Sequence, residues 1–404
     1  MRDSFLSFSP PSIGEEEIAE VVSTLRSGWI TTGPKVRRFE DEFSAFVGAS
    51  GALALSSCTA AMHLALKVLS IGPGDAVVTT PLTFCSSVHV IEHLGARPLL
   101  VDVDPDTLNV DPSRLEEAVG RWANGGVDGG GRLRVLLPVH LYGHPCDLDT
   151  ILRLSREYSL DVVEDAAHAL PARYRGRLIG SSPPAGGLTT PRVLTAFSFY
   201  ATKNLTTAEG GMLVGPASVL DEARTWSLHG MSHDAYKRYS AQGSWYYEVT
   251  RPGFKYNMTD IQAAIGLHQL CKLPEFQARR RQIVRRYDDA FSQLEELQVP
   301  TERPEVEHAW HLYVLRLNLE RLRISRSQFI EELKDRNIGA SVHFIPVHLH
   351  PYYRDKYGYR PDDFPVAYRE YQRIVSLPLY PGMSDQDASD VVDAVYDVIG
   401  AYRR

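Results

Sequence analysis

The stretch Leu160-Asp161-Val162-Val163-Glu164-Asp165-Ala166-Ala167-His168 decides the fold. It opens on a short apolar run, β-branched at Val162 and Val163, of the kind that fits a strand buried on both faces. It closes on a carboxylate followed by small residues, which places Asp165 at the strand's C-terminal edge. Working outward, comparable runs occur at Ala52–Leu55, Ala76–Thr79, Pro98–Val103, Arg134–His140 and Val193–Ser198. Between them Thr59–Leu69, Ser86–Leu94, Pro112–Ala123 and Leu148–Tyr158 carry apolar residues at helical spacing. Strands alternating with helices predict an α/β fold whose mainly parallel sheet is sandwiched by helices.

Towards the ends the pattern changes. Residues 14–26 predict an amphipathic helix that halts at Ser27-Gly28, followed by a Gly/Pro-bounded loop, Trp29-Ile30-Thr31-Thr32-Gly33-Pro34. A long helical region runs from about Thr259 to Leu294, and Pro274 is expected to break it. Beyond it Leu312–Leu317, Ala340–Phe344 and Ile374–Leu379 read as strands, Ser325–Arg336 and Ser384–Ile399 as amphipathic helices. The expected organisation is a large domain over 1–260 and a smaller C-terminal α+β domain over 261–404. Two Gly-rich stretches, Asn124–Arg132 and Ser181–Pro191, read as exposed loops.

Composition narrows the function classes. The chain has 404 residues, 44% apolar and 23% charged, ordinary values for a globular protein able to bury a large core. A net charge of −7 argues against binding a nucleic-acid backbone. The four cysteines, Cys58, Cys85, Cys146 and Cys271, form no C-x-x-C pair and suggest neither a disulfide framework nor a zinc knuckle. The start lacks the apolar core of a signal peptide, and no run approaches the roughly 18 apolar residues of a membrane span. The expectation is a soluble cytoplasmic protein with no membrane partner.

Phosphate-loop, dinucleotide-fingerprint, nucleophile-elbow and zincin motifs are all absent. What remains is polar chemistry at strand ends, where open α/β sheets place their ligands. Asp165 is one such group, and it could equally be a turn or helix-capping aspartate. Lys203, in Phe197-Ser198-Phe199-Tyr200-Ala201-Thr202-Lys203-Asn204, follows an aromatic-rich strand and precedes Glu209-Gly210-Gly211. Desolvation there would lower its pKa and free its amine for Schiff-base chemistry; a surface lysine is the alternative. Ser56-Ser57-Cys58-Thr59-Ala60-Ala61 opens a helix after a strand and could cradle an anion or simply cap the helix. Phe84 could stack on a flat ring or belong to the core. His308, His311, His343, His348 and His350 lack carboxylate partners at metal spacing, so no metal site is expected. An anion pocket, a stacking aromatic, a strand-end carboxylate and an activated lysine are the parts that hold pyridoxal phosphate, with the carboxylate keeping the pyridine nitrogen protonated.

In these residues, the sequence resembles the DegT/DnrJ/StrS family of nucleotide-sugar aminotransferases, pyridoxal-phosphate enzymes of the aspartate aminotransferase fold (fold type I). The landmarks are Ser27–Pro34, Glu164-Asp165-Ala166-Ala167-His168-Ala169, Phe197–Asn204 and Ala208-Glu209-Gly210-Gly211. They continue through Tyr256-Asn257-Met258-Thr259-Asp260, His308-Ala309-Trp310-His311-Leu312 and Ser376-Leu377-Pro378-Leu379. The match covers nearly the whole chain. The His-Ala-Trp-His segment and His168 resemble the branch that aminates C4 of a 4-keto pentose, the 4-amino-4-deoxy-arabinose type.

The resemblance implies roles, residue by residue. Lys203 forms the Schiff base and then moves the proton, Asp165 pairs with the pyridinium nitrogen, Phe84 stacks on the ring, and His168 stands near the phenolic oxygen. Thr59, the Ala60 N–H and Ser198 hold the phosphate, and Asn257 reaches it from a neighbouring subunit, which implies a homodimer with shared sites. Thr31 and His343 border the substrate pocket. The implied reaction takes an amino group from L-glutamate, releasing 2-oxoglutarate, and gives it to a nucleotide-diphosphate keto-sugar for antibiotic or envelope glycan biosynthesis. Amination at C3 is the alternative. A related sugar dehydratase would place His where Lys203 stands, and a non-catalytic regulator would have lost the lysine, the aspartate or the phosphate-site hydroxyls. The segment 180–192 is longer than its counterpart in the family and reads as surface decoration.

Overall fold

A computed structural model of the chain describes residues 2–125, 131–182, 191–231 and 246–404. The two Gly-rich loops expected from the sequence therefore lie largely outside the described residues, at 126–130 and 183–190.

Seven strands form the main sheet, in the order Ala52–Leu55, Gly211–Val214, Val193–Ser198, Asp161–Asp165, Arg132–Leu136, Asp75–Thr79, Arg97–Leu100. Gly211–Val214 is antiparallel to both neighbours, and every other pairing is parallel. The sequence reading missed this strand because it is four residues long and opens on glycine, which leaves no pattern to distinguish it from a turn. Its glycine has a packing reason. A Cβ on Gly211 would lie 2.4 Å from the Ser57 carbonyl carbon and 2.5 Å from the Cys58 nitrogen. Only glycine lets the helix Cys58–Val68 begin directly against this strand.

That helix is the centre of the large unit. All its residues except Thr59 and Lys67 are buried, so the helix lies inside the molecule. Its N-terminus, the loop at Thr83–Phe84, Asp165 and Ser198 all follow the C-terminal ends of parallel strands and so share one edge of the sheet.

The tail builds a second, three-stranded sheet, with Tyr313–Leu317 between Leu297–Gln298 and Ile374–Leu377. Helices Arg326–Asp335 and Asp385–Tyr402 pack with it, each opened by a serine cap, Ser325 and Ser384, in a reciprocal capping box. Two expectations fail here. The helix Asp260–Phe291 runs through Pro274 without a break. Leu270, Leu273 and Phe276 are buried on both sides of the proline, and that burial outweighs the one backbone hydrogen bond the ring removes. Ala340–Phe344 is not a strand either: it makes one bridge, Ser341 to Ser376, before His343 and Phe344 turn toward the sheet edge of the large unit.

The long helix serves both cores. Ala263, Leu267, Leu270 and Leu273 join the large unit's aromatic cluster, whereas Ile283, Val284, Tyr287 and Phe291 join the tail's. The units are tied elsewhere too: Asp102 accepts from the N–H groups of Val366 and Ala367 at 2.9 Å each, capping the start of helix Pro365–Arg373. Side chains from the tail are thereby held over the sheet edge. Among the described residues no helix is long and apolar enough to cross a membrane.

Candidate active site

The strand ends open into a cavity of about 460 Å³. The structure brings Thr59, Phe84, Asp165, His168, Ser198, Lys203 and His343 together on its wall, although they come from five separate segments of chain.

Asp165 is both the turn aspartate and the buried carboxylate that its sequence context allowed. Its Oδ1 accepts from the Ala167 N–H at 3.1 Å, closing a local turn. Its Oδ2 accepts from the Ser87 hydroxyl at 2.7 Å, a contact between residues 78 positions apart. Burial outweighs these donors and pushes the carboxyl above its ordinary pKa. The site therefore favours a cationic N–H donor beside Asp165.

Lys203 sits in the turn after Val193–Ser198. Burial lowers its pKa from 10.5 to about 8, against the opposing pull of Asp165 and the Cys58 thiol. It is not a surface lysine. Phe84, in contrast, is not core: its side chain is 56% exposed, standing at the cavity wall 5.7 Å from the Phe344 ring.

His168 has a fixed tautomer. The Tyr142 N–H donates to its Nδ1 at 3.1 Å, so Nε2 carries the proton, and burial holds the ring neutral. His343, from the tail, is likewise held neutral by burial, its pKa lowered to about 4. Its Nδ1 lies 2.9 Å from the Ser376 hydroxyl, and its ring stacks on Phe8 from the N-terminal segment.

At the start of helix Cys58–Val68, Ser57 is the N-cap and accepts from the Ala60 N–H at 3.0 Å. This departs from the expectation of a free N–H at Ala60, which is buried and does not line the cavity. Helix geometry instead leaves the N–H groups of Cys58 and Thr59 without intrahelical partners. Together with the hydroxyls of Thr59 and Ser198, which line the same cavity, they can seat an anion.

Asn257 and Thr31 also lie off this chain's own cavity. Asn257 donates to Thr32 Oγ1 at 2.7 Å and accepts from Lys255 Nζ at 2.6 Å, and exposed Thr31 accepts the Asp260 N–H through its carbonyl. Sequence reasoning missed Ser87, Cys58, Phe8 and Phe344, and it quoted His311 without a role. Ser87 follows Phe84 closely in a hydroxyl-rich segment, a faint signal. The others are placed only by the meeting of distant segments. No group of three His, Cys, Asp or Glu among the described residues is arranged for a metal ion.

An amine of lowered pKa, a buried carboxyl of raised pKa, an aromatic face and an anion-binding helix start fit the aldehyde, ring nitrogen, ring and phosphate of pyridoxal phosphate. Comparison with known proteins agrees. The model of the DegT/DnrJ/EryC1/StrS aminotransferase family matches residues 11–396. A spore coat polysaccharide biosynthesis protein of Bacillus subtilis is 52% identical over 400 residues, 98% of each chain. A Streptococcus pneumoniae protein described as a sugar aminotransferase, in its PLP form, superposes with a TM-score of 0.86 at 34% identity, over 98% of this chain and 99% of that one. Its PMP form gives 0.87 at 35% identity, with the same coverage. The chain belongs to the DegT/DnrJ/EryC1/StrS aminotransferase family, pyridoxal-phosphate-dependent enzymes of fold type I.

Proposed function

We propose that the chain transfers an amino group from L-glutamate to the C4 keto carbon of a nucleotide-diphosphate sugar, a TDP- or UDP-linked 4-keto pentose or 6-deoxyhexose. The observation that carries the transfer chemistry is the pairing, in one cavity, of the desolvated Lys203 amine with the buried Asp165 carboxylate. The C4 assignment rests on the His-Ala-Trp-His segment and His168. The Bacillus subtilis relative's part in spore coat polysaccharide biosynthesis favours an envelope glycan over an antibiotic.

Pyridoxal phosphate, when bound, supplies an aldehyde to carry the amino group and a ring that withdraws electrons from the reacting carbon. Lys203 holds the aldehyde end and, once free, carries the proton. With a pKa of about 8, about one amine in ten is unprotonated at pH 7, so it can both take and return that proton. Asp165 holds a proton on the ring nitrogen, Phe84 covers the ring, and the neutral His168 donates from Nε2 to the phenolic oxygen. Thr59, Ser198 and the helix start bind the phosphate. Asn257 serves the site of a second copy, making the enzyme a homodimer, and Thr31 and His343 border the sugar. The enzyme acts in the cytoplasm, where its nucleotide-sugar substrates are made.

The test is the visible absorption spectrum of the purified protein. A yellow band should bleach with L-glutamate and return with a 4-keto nucleotide sugar, and Lys203→Ala should abolish turnover. Restoration by a 3-keto sugar alone would keep the enzyme class and move the reaction to C3. A protein that takes up no pyridoxal phosphate would overturn the reading.

A further inference from the structure

Lys203 has a neighbour that the proposed mechanism leaves unused. His311 Nε2 lies 3.5 Å from Lys203 Nζ, and the polarity of that contact is set one residue further out. Asn204 spends both amide hydrogens on backbone carbonyls, those of Leu170 and Ala309, at 2.9 Å each. Its amide oxygen is therefore the atom that faces His311 Nδ1, 3.2 Å away, and an oxygen there can only accept. Nδ1 carries the proton, and burial keeps the ring neutral, so Nε2 presents a lone pair to the lysine amine.

The backbone bearing the ring is also fixed. Arg280, fully buried on the long helix, donates through Nη1 to the carbonyls of Trp310, His311 and Leu379 at 3.1, 3.3 and 2.8 Å. The Trp310 N–H donates to His308 Nδ1 at 2.7 Å, and the two rings stack with centroids 4.0 Å apart.

We propose that His311 is a positioning residue for Lys203: its Nε2 lone pair seats the free amine, and Asn204 sets the tautomer that makes this possible. The role rests on Lys203 acting as the proton carrier described above. At 3.5 Å the contact is at the outer limit of a hydrogen bond, so it steers the amine more than it binds it. An acceptor still favours the ammonium over the amine. His311 thus acts in the same sense as Asp165 and Cys58 on that amine, while His168 and His343, which also face it, are both held neutral, and Glu209 and Tyr200 line the same cavity.

His311→Phe keeps a ring and removes both nitrogens; His311→Leu is a second apolar variant, smaller and easier to accommodate; His311→Gln can return an acceptor near Nε2. In the full chain stripped of cofactor, the pH dependence of Lys203 methylation by formaldehyde and cyanoborohydride is read on the Lys203 peptide by mass spectrometry. The apolar variants should lower the apparent pKa by about one unit, a tenfold change in free amine, with His311→Gln moving back toward wild type. In the holoenzyme the same variants should bleach with L-glutamate roughly tenfold more slowly at nearly unchanged KM. A more available amine that reacts more slowly is one that has lost its position. Unchanged methylation profiles in the apolar variants, or slower bleaching explained by a raised KM and lost cofactor, would overturn the proposal. A wild-type protein that never bleaches with glutamate refutes the transaminase reading instead, and the methylation profile still judges His311.

Discussion

Lys203→Met should make the cofactor-free protein more stable at neutral pH, not less. Methionine keeps the length of the lysine stem and removes the amine. In the folded chain that amine has a pKa of about 8 instead of 10.5, a depression of about 2.5 units, so carrying the proton inside the protein costs about 3 kcal/mol. Water entering the cavity screens part of this, and a gain of about 1–3 kcal/mol is expected at pH 7. The sign follows from proton counting. Between pH 8 and pH 10.5 the folded amine is already neutral while the unfolded one still holds its proton, so the unfolded state binds more protons and wild-type stability rises with pH. The advantage of Lys203→Met should be largest near pH 7 and vanish by about pH 10.5. Urea denaturation of both proteins at several pH values measures it, and every other titrating group is shared, so the difference isolates Lys203. Parallel stability curves between pH 7 and pH 10 would refute the argument, because they would mean that the amine titrates as an ordinary surface lysine.

Other outcomes follow from the geometry around the same edge of the sheet. Ser87→Ala removes the hydroxyl that donates to Asp165 at 2.7 Å, a bond to a charged group worth roughly 1.5–3 kcal/mol. Pyridoxal phosphate should then bind about tenfold or more weakly in an absorbance titration, and an unchanged Kd would dismiss Asp165 as the partner of the ring nitrogen. Gly211→Ala must displace the start of helix Cys58–Val68, since the new Cβ falls 2.4 Å from the Ser57 carbonyl carbon. A lower melting temperature together with weaker cofactor binding is expected, and wild-type behaviour in both would contradict the packing described. Arg224→Met strands the buried Glu40 carboxylate, which Arg224 now holds with two bonds of 3.0 and 2.9 Å. A loss of about 3 kcal/mol in urea denaturation is expected, largely recovered by adding Glu40→Gln.

The sheet was legible because its strands are buried on both faces and leave short apolar runs that helical segments separate. Asp165 and Lys203 were legible for the same reason, since a polar residue that closes such a run lands at the sheet edge. The misses have a common physical cause. Pro274 argued locally for a break, and burial of Leu270, Leu273 and Phe276 overrode it. Gly211–Val214 is too short to show a period, and Ala340–Phe344 looks extended but makes a single bridge. Ser87 and Asp165 meet only because strands distant in sequence are neighbours in the sheet. The Ala60 N–H is taken up by a cap that Ser57 could always have formed, and the sequence did not tell capping from anion binding at this helix start.

The electrostatics of Asp165 and Lys203 point the same way as their proposed roles. Burial, the largest influence on both, drives each toward its neutral form, the carboxyl by an upward shift and the amine by a downward one. Neither arrangement serves the stability of the chain alone. A ligand that brings a cationic N–H to Asp165 and an electrophilic carbon to the Lys203 amine removes both penalties at once. Such a ligand is selected by charge as much as by shape. The surrounding groups sharpen that selection: Ser87 and the Ala167 N–H orient the carboxylate, and Asn204 acts through His311 on the amine. The residues proposed to hold the cofactor supply reactivity, and those one contact further out decide which proton sits where.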